Sequence, residues 1–239
     1  MCGDQMNSPS GKSGIIQPRR QSWRVVSILT VLFFSWALPS TAGEVWVANM
    51  KGANVQIIDT SSNKVVQTIP TGAGAHNVTF SPDGKLAYIA NLGTNSITII
   101  DTMSKEKLAD IVTDTKAHDV AVSPDGKLAV ACNVGAGNIT FIDVAAKKAV
   151  HTMATGKKAI TAVFSPDGKR LVYDKSKDDG HNVLELDIYV INTDGTGEKR
   201  LTNSGQKFAS EPSWSSDGKS IVFFYRGKTD KQIAILRVE

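Results

Sequence analysis

The chain has 239 residues, with 27 lysines and arginines against 23 aspartates and glutamates. Residues 1–42 carry four of the basic side chains (Lys12, Arg19, Arg20, Arg24) and one acid (Asp4), so the remainder is nearly neutral, at about +1. That balance excludes the dense basic face that a nucleic-acid partner needs. Of the two cysteines only Cys132 lies beyond residue 42, which excludes an internal disulfide and a Cys-x-x-Cys-His haem attachment there.

The first predicted element is a leader. Arg19, Arg20 and Arg24 precede an uncharged stretch, Val25 to Leu38, which Pro39 and Ser40-Thr41-Ala42 follow. A basic start, an apolar middle and small residues at the exit predict a secretory signal peptide over 1–42, cleaved after Ala42. As a helix the uncharged stretch would span only about 21 Å, short of a ~30 Å hydrocarbon core, which argues against an uncleaved anchor. The mature chain is therefore expected to be periplasmic or secreted, with no transmembrane helix.

From residue 43 onward the chain repeats itself. Ser81-Pro82-Asp83-Gly84, Ser123-Pro124-Asp125-Gly126 and Ser165-Pro166-Asp167-Gly168 are spaced by 42 residues, and the variant Ser215-Ser216-Asp217-Gly218 follows after 50. A fixed period in this range signals a repeat array. A partial copy comes first, over about 44–70, with strands predicted at Val45 to Ala48, Val55 to Ile58 and Val65 to Ile69. The copy at 76–112 is complete: strands at His76 to Phe80, Leu86 to Ala90, Ser96 to Ile100 and Lys107 to Val112. Between the first two of these, Pro sets φ, Asp tolerates the turn conformation and Gly supplies positive φ. The copy at 118–154 runs the same way.

The copy at 160–202 begins regularly and then carries an insertion, Asp174 to Asn182, which the sequence reads as a solvated connection. Its spacing of Asp174, Asp178 and Asp179 does not match a calcium loop. Strands are expected again at Asp187 to Ile191 and Arg200 to Thr202. A partial copy over about 208–238 ends the array. Four short antiparallel strands per copy, and no sustained helical period, predict an all-β propeller of four-stranded blades. The strands number eighteen in blades of three, four, four, four and three. Four or five blades result, and the ends do not obviously close the ring.

Val47-Ala48-Asn49, Ile89-Ala90-Asn91, Ile57-Ile58-Asp59-Thr60, Ile99-Ile100-Asp101-Thr102 and Lys64-Val65-Val66-Gln67-Thr68-Ile69-Pro70 resemble the bacterial YVTN-type propeller repeat, over roughly residues 44–170. Ile188-Tyr189-Val190-Ile191-Asn192-Thr193-Asp194-Gly195, Arg200-Leu201-Thr202 and Pro212-Ser213-Trp214-Ser215-Ser216-Asp217-Gly218 are instead similar to the WD-like repeat of TolB-type propellers. The first resemblance implies a seven-bladed relative, of which this chain would be a shortened version.

Two histidines, His76 and His118, open the innermost strands of adjacent copies. In a propeller that position faces the mouth of the central channel, where ligands bind. Together with Asp119 they are the candidate ligand- or cofactor-binding residues; the competing reading is that His belongs to the repeat itself. Ile160 and Ser210 hold the equivalent places in the next copies, so no ring of histidines forms, and a metal shell would lack its third ligand. Asn49, Asn91 and Asn133, and Asp59, Asp101 and Asp143, keep the repeat period and are read as structural. Gly135-Ala136-Gly137 precedes no helix and is no phosphate cradle. No catalytic group stands outside the repeat pattern, and nothing there demands a cofactor. The sequence therefore favours an exported binding or scaffold protein for an envelope protein partner or a small ligand. The alternative, implied by resemblance, is a haem-d- or quinoprotein-like cofactor propeller or a lactonase-like enzyme.

Overall fold

The computed structural model describes residues 43–156, 158–178, 183–203, 205, 208–227 and 231–238. The leader, its cleavage site at Ala42 and the tip of the insertion, Asp179 to Asn182, lie outside the described residues. Those from 43 onward belong to one unit, Thr41–Glu239.

The described residues form eighteen strands and no helix. Blade 1 is β1 (Glu44–Asn49), β2 (Asn54–Asp59) and β3 (Lys64–Pro70). Blade 2 is β4 (Ala75–Phe80), β5 (Leu86–Asn91), β6 (Ser96–Asp101) and β7 (Lys107–Val112). Blade 3 is β8 (Ala117–Val122), β9 (Leu128–Asn133), β10 (Asn138–Asp143) and β11 (Lys148–Ala154). Blade 4 is β12 (Ala159–Phe164), β13 (Arg170–Asp178), β14 (Val183–Asn192) and the short β15 (Lys199–Arg200). Blade 5 is β16 (Phe208–Trp214), β17 (Ser220–Arg226) and β18 (Lys231–Arg237). Pairing within each blade is antiparallel between chain neighbours, as hairpin connections require. One parallel bridge, Leu186 to Phe208, joins blades 4 and 5 into a single sheet. Among the described residues no strand of blade 1 pairs with one of blade 5, and the ring is not closed.

The repeated turn explains why the copies share a register. In the first, Ser81 Oγ donates to Asp83 Oδ1 (2.7 Å) and accepts from the Leu86 amide (2.9 Å), while Asp83 Oδ1 accepts from the Lys85 amide (3.1 Å). The turns at Ser123, Ser165 and Ser215 repeat these bonds. Each ends on glycine at φ 68 to 72° (Gly84, Gly126, Gly168, Gly218), a conformation that costs a residue with Cβ. Asp59, Asp101 and Asp143 cap the turns before the last strands of blades 1, 2 and 3, as expected of structural residues. Asn91 and Asn133 are fully buried at the ends of the second strands, and their amides reach Thr98 and Thr140.

Stability resides in the four joints between blades. Each encloses its own apolar cluster: Val55, Ile57 and Ile89 between blades 1 and 2; Ile97, Ile99 and Ala131 between 2 and 3; Ile139, Leu171 and Tyr173 between 3 and 4; Val172, Ile221 and Phe223 between 4 and 5. Alternation along each strand puts one set of side chains into the joint ahead and the other into the joint behind. That is why the middle strands of blades 2 and 3 are apolar on both faces.

The insertion is not the solvated connection expected from its composition. β13 continues through Asp178 and pairs with β14 from Arg170–Asn192 up to Asp178–Val183, so the added residues lengthen a hairpin. Asp174 is buried inside it, at 1% exposure. The last strand of this blade is shorter than expected and earlier, at Lys199–Arg200.

Candidate functional site

The inner strands β4, β8, β12 and β16 approach one another from blade to blade. All four are bulged near their start: the register shifts between Ala75 and Asn77, Ala117 and Asp119, Ala159 and Ala162, and Ser210 and Ser213. A bulge leaves residues out of the ladder and re-aims their side chains. His76 and His118 are the residues so released in blades 2 and 3.

The structure brings these two histidines together. Their ring centroids are 4.2 Å apart, tilted by 41°. His76 Nδ1 bonds the His118 carbonyl at 3.1 Å, and His118 Nδ1 bonds the Ile160 carbonyl at 3.2 Å. A carbonyl only accepts, so each Nδ1 carries the proton and donates. Nε2 is then the bare nitrogen of each neutral ring. The same kind of bond to the next blade anchors both rings. His76 is exposed and His118 half-buried. Burial, and secondarily the neighbouring His76, lower the pKa of His118, against the pull of the Ile160 carbonyl.

Asp119 sits beside His118 in sequence but plays a different part. Its side chain is buried and accepts from the Asn77 amide of the preceding blade. Burial raises its pKa to about 6; the amides of Val120 and Ala162 and the Asn77 side chain oppose the shift, while the charge of Asp174 adds to it. Asp119 thus ties blade 3 to blade 2 through Asn77. Thr79 Oγ1 strengthens the same joint by donating to the Val120 carbonyl (2.8 Å).

Asp174 does the corresponding work one joint further on, and the sequence reading missed it. Its Oδ1 accepts from the Thr161 amide (2.8 Å) and hydroxyl (3.1 Å), and its Oδ2 from the Glu211 amide of blade 5 (3.3 Å). Both amides belong to bulged segments. Burial raises the pKa of Asp174 against these donors. A signal was present: Asp174 lies 42 residues after Cys132, itself 42 after Ala90, and both of those are buried strand residues. Cys132 is a free, fully buried thiol, its pKa pushed up first by burial and then by Asp119 and Asp174.

The arrangement offers two neighbouring imidazoles, with buried, hydrogen-bonded carboxylates at Asp119 and Asp174 in the adjoining joints. Among the described residues no three His, Cys, Asp or Glu side chains converge as a metal cluster. The elongated β13–β14 hairpin rises at the same end of the inner strands. A cavity of about 410 Å³ lies at its foot between blades 3 and 4, lined by Gly135, Ala136, Gly137, Asn138, Lys158 and Ser176 among others.

Comparison with solved structures finds the same fold at low identity. Kuenenia stuttgartiensis hydrazine synthase matches with a TM-score of 0.69 and 20% identity, over 82% of this chain and 60% of that one. The dihydro-heme d1 dehydrogenase NirN in complex with DHE matches with a TM-score of 0.60 and 19% identity, over 81% of this chain and 42% of that one. The chain therefore spans less than two thirds of either structure. No curated protein matches it. The family model of the TolB beta propeller domain matches residues 38–239, and the chain belongs to that family.

Proposed function

We propose that this is an exported propeller that binds a protein partner or a small ligand in the cell envelope, using the end of the inner strands where His76 and His118 open blades 2 and 3. Asp119 supports that end from within the joint. The observation that carries the reading is the adjacent imidazole pair, whose Nδ1 atoms are spent on the neighbouring blades and whose Nε2 atoms make no hydrogen bond among the described residues. Repeats build scaffolds, and a pair of polar atoms left over from the scaffold's own bonding is where such a fold acts. The leader pattern of residues 1–42, read as a signal peptide ending at Ala42, and the resemblance of residues 44–170 to bacterial YVTN-type repeats favour export.

A second reading is a cofactor-binding propeller. It is favoured by the likeness to NirN, a dihydro-heme d1 dehydrogenase solved with DHE. Crosslinking in intact envelopes, with native chain beside the double variant His76→Ala/His118→Ala, tests the first reading. A discrete adduct with the native chain that is lost in the variant is expected. An adduct unchanged by the substitutions would place binding elsewhere. A visible absorption band in the purified native chain, lost in the same variant, would move the assignment to the second reading.

A further inference from the structure

We infer that His76 and His118 form a two-imidazole site for a borderline divalent transition-metal ion, of the zinc, nickel or copper(II) class. The inference rests on the proposed binding role of this end of the inner strands and gives it a chemistry. Neutral imidazole is the ligand those ions favour, whereas calcium and magnesium prefer oxygen sets that this end does not assemble.

The geometry is specific in three ways. First, the tautomer is fixed by the protein. Each Nδ1–H donates to a main-chain carbonyl of the next blade, His118 O at 3.1 Å and Ile160 O at 3.2 Å, so the lone pair stands on Nε2. This is the outer hydrogen bond that metal-binding histidines characteristically make, here supplied by the fold before any ion arrives. Second, the two rings are already gathered, with centroids 4.2 Å apart. Two neighbouring imidazoles whose Nε2 atoms take no hydrogen bond among the described residues are a pair of nitrogen donors open to a cation. Third, the rings differ in exposure: both are held by their Nδ1 bonds, but His118 is half-buried while His76 is exposed and accessible to an ion from solvent. Water or a ligand donor would complete the shell, because the third equivalent position is Ile160 and Asp119 is committed to Asn77. An open, two-residue site of this kind suits a metal that bridges the propeller to its partner better than a closed structural one.

The test is titration of the purified full chain, without a polyhistidine tag and stripped with chelator, with zinc, nickel and copper(II) chlorides at neutral pH. Calorimetry is expected to show one saturable site in the native chain. His76→Ala should abolish it, and His118→Ala likewise, while His151→Ala and His181→Ala leave it intact. Copper(II) at that site should show nitrogen hyperfine coupling by electron paramagnetic resonance. Thermal melts accompany each variant. Both substitutions remove an inter-blade bond, but His118 is half-buried and His76 exposed, so His76→Ala is the less disruptive and decisive variant. A native chain with no saturable site, or a site that survives His76→Ala, overturns the inference. The envelope crosslink is scored separately: a His76-dependent adduct formed by a chain that titrates no metal would sink the metal and leave the binding role standing.

Discussion

Blades 3 and 4 put different residues at the same place. Cys132 ends its run in β9 as a small apolar side chain, and Asp174, 42 residues later in β13, is a carboxylate in the equivalent position. Around Cys132 the carboxylate comes from the inner strand instead, as Asp119. The two joints thus solve one problem twice. A bulged inner strand leaves main-chain amides out of the ladder, and a buried donor without a partner is costly. In blade 3 the inner strand carries its own carboxylate, Asp119, which accepts from the Asn77 side chain; in blade 4 the second strand reaches in, and Asp174 accepts from Thr161 and Glu211. What is conserved between the blades is the need for an acceptor, and the strand that provides it changes.

The largest expected effect breaks that comparison directly. Asp174→Ala strands two bulge amides and a hydroxyl in a joint closed to water. It should cost roughly 2–3 kcal/mol, the loss of the buried charge offsetting part of the damage. Cys132→Ala at the equivalent position removes only a sulfur from an apolar contact and should cost about 1 kcal/mol. Denaturant unfolding of both variants measures the contrast. Equal losses would show that Asp174 acts as filling and not as an acceptor.

How far the sequence carried is visible in the same two residues. The Ser-Pro-Asp-Gly turns are legible because their hydrogen bonds close within five residues, Ser81 to Leu86 being typical. The strand pattern is legible because alternation writes both joints into one strand. Asp174 was illegible because it heads a polar run, Lys175-Ser176-Lys177-Asp178, which reads as solvated. What buries it is the amide of Glu211, 37 residues away on another blade. The pairing of Leu186 with Phe208 is non-local in the same sense. His76 and His118 were found by their shared spacing. Their mutual distance and their tautomer come from the carbonyls of the following blades, which no local pattern specifies.

Acid titration sharpens the contrast between two classes of aspartate. Asp174 has its pKa raised in the folded chain. Its contribution to stability is therefore fully present below the unfolded value of about 3.9 and is lost as pH rises through the folded one. The turn residue Asp83 is the reverse: the hydroxyl of Ser81, followed by the Lys85 amide, lowers it to about 2. Its contribution is present above the unfolded value and is lost as pH falls toward about 2. Stability curves for Asp174→Asn and Asp83→Asn should diverge from the native curve with opposite slopes. Unfolding midpoints across a pH series supply the measurement, and slopes of the same sign would refute the division.

The smallest expected effect asks whether blades 3 and 4 are equivalent where their sequences say they are. Gly126 and Gly168 end the same turn at φ 72° and 71°. A Cβ at Gly126 would meet nothing within 4 Å, and at Gly168 only Pro124 Cδ at 3.6 Å, an ordinary contact. Neither site has a steric objection to alanine, so the cost is that of the left-handed backbone alone, about 1 kcal/mol. Gly126→Ala and Gly168→Ala should therefore lower stability by the same amount. A much larger loss at Gly168 would mean that the longer β13–β14 hairpin is felt at the opposite end of its blade. An equal loss would confine the difference between the blades to the end where Asp174 and the histidines lie.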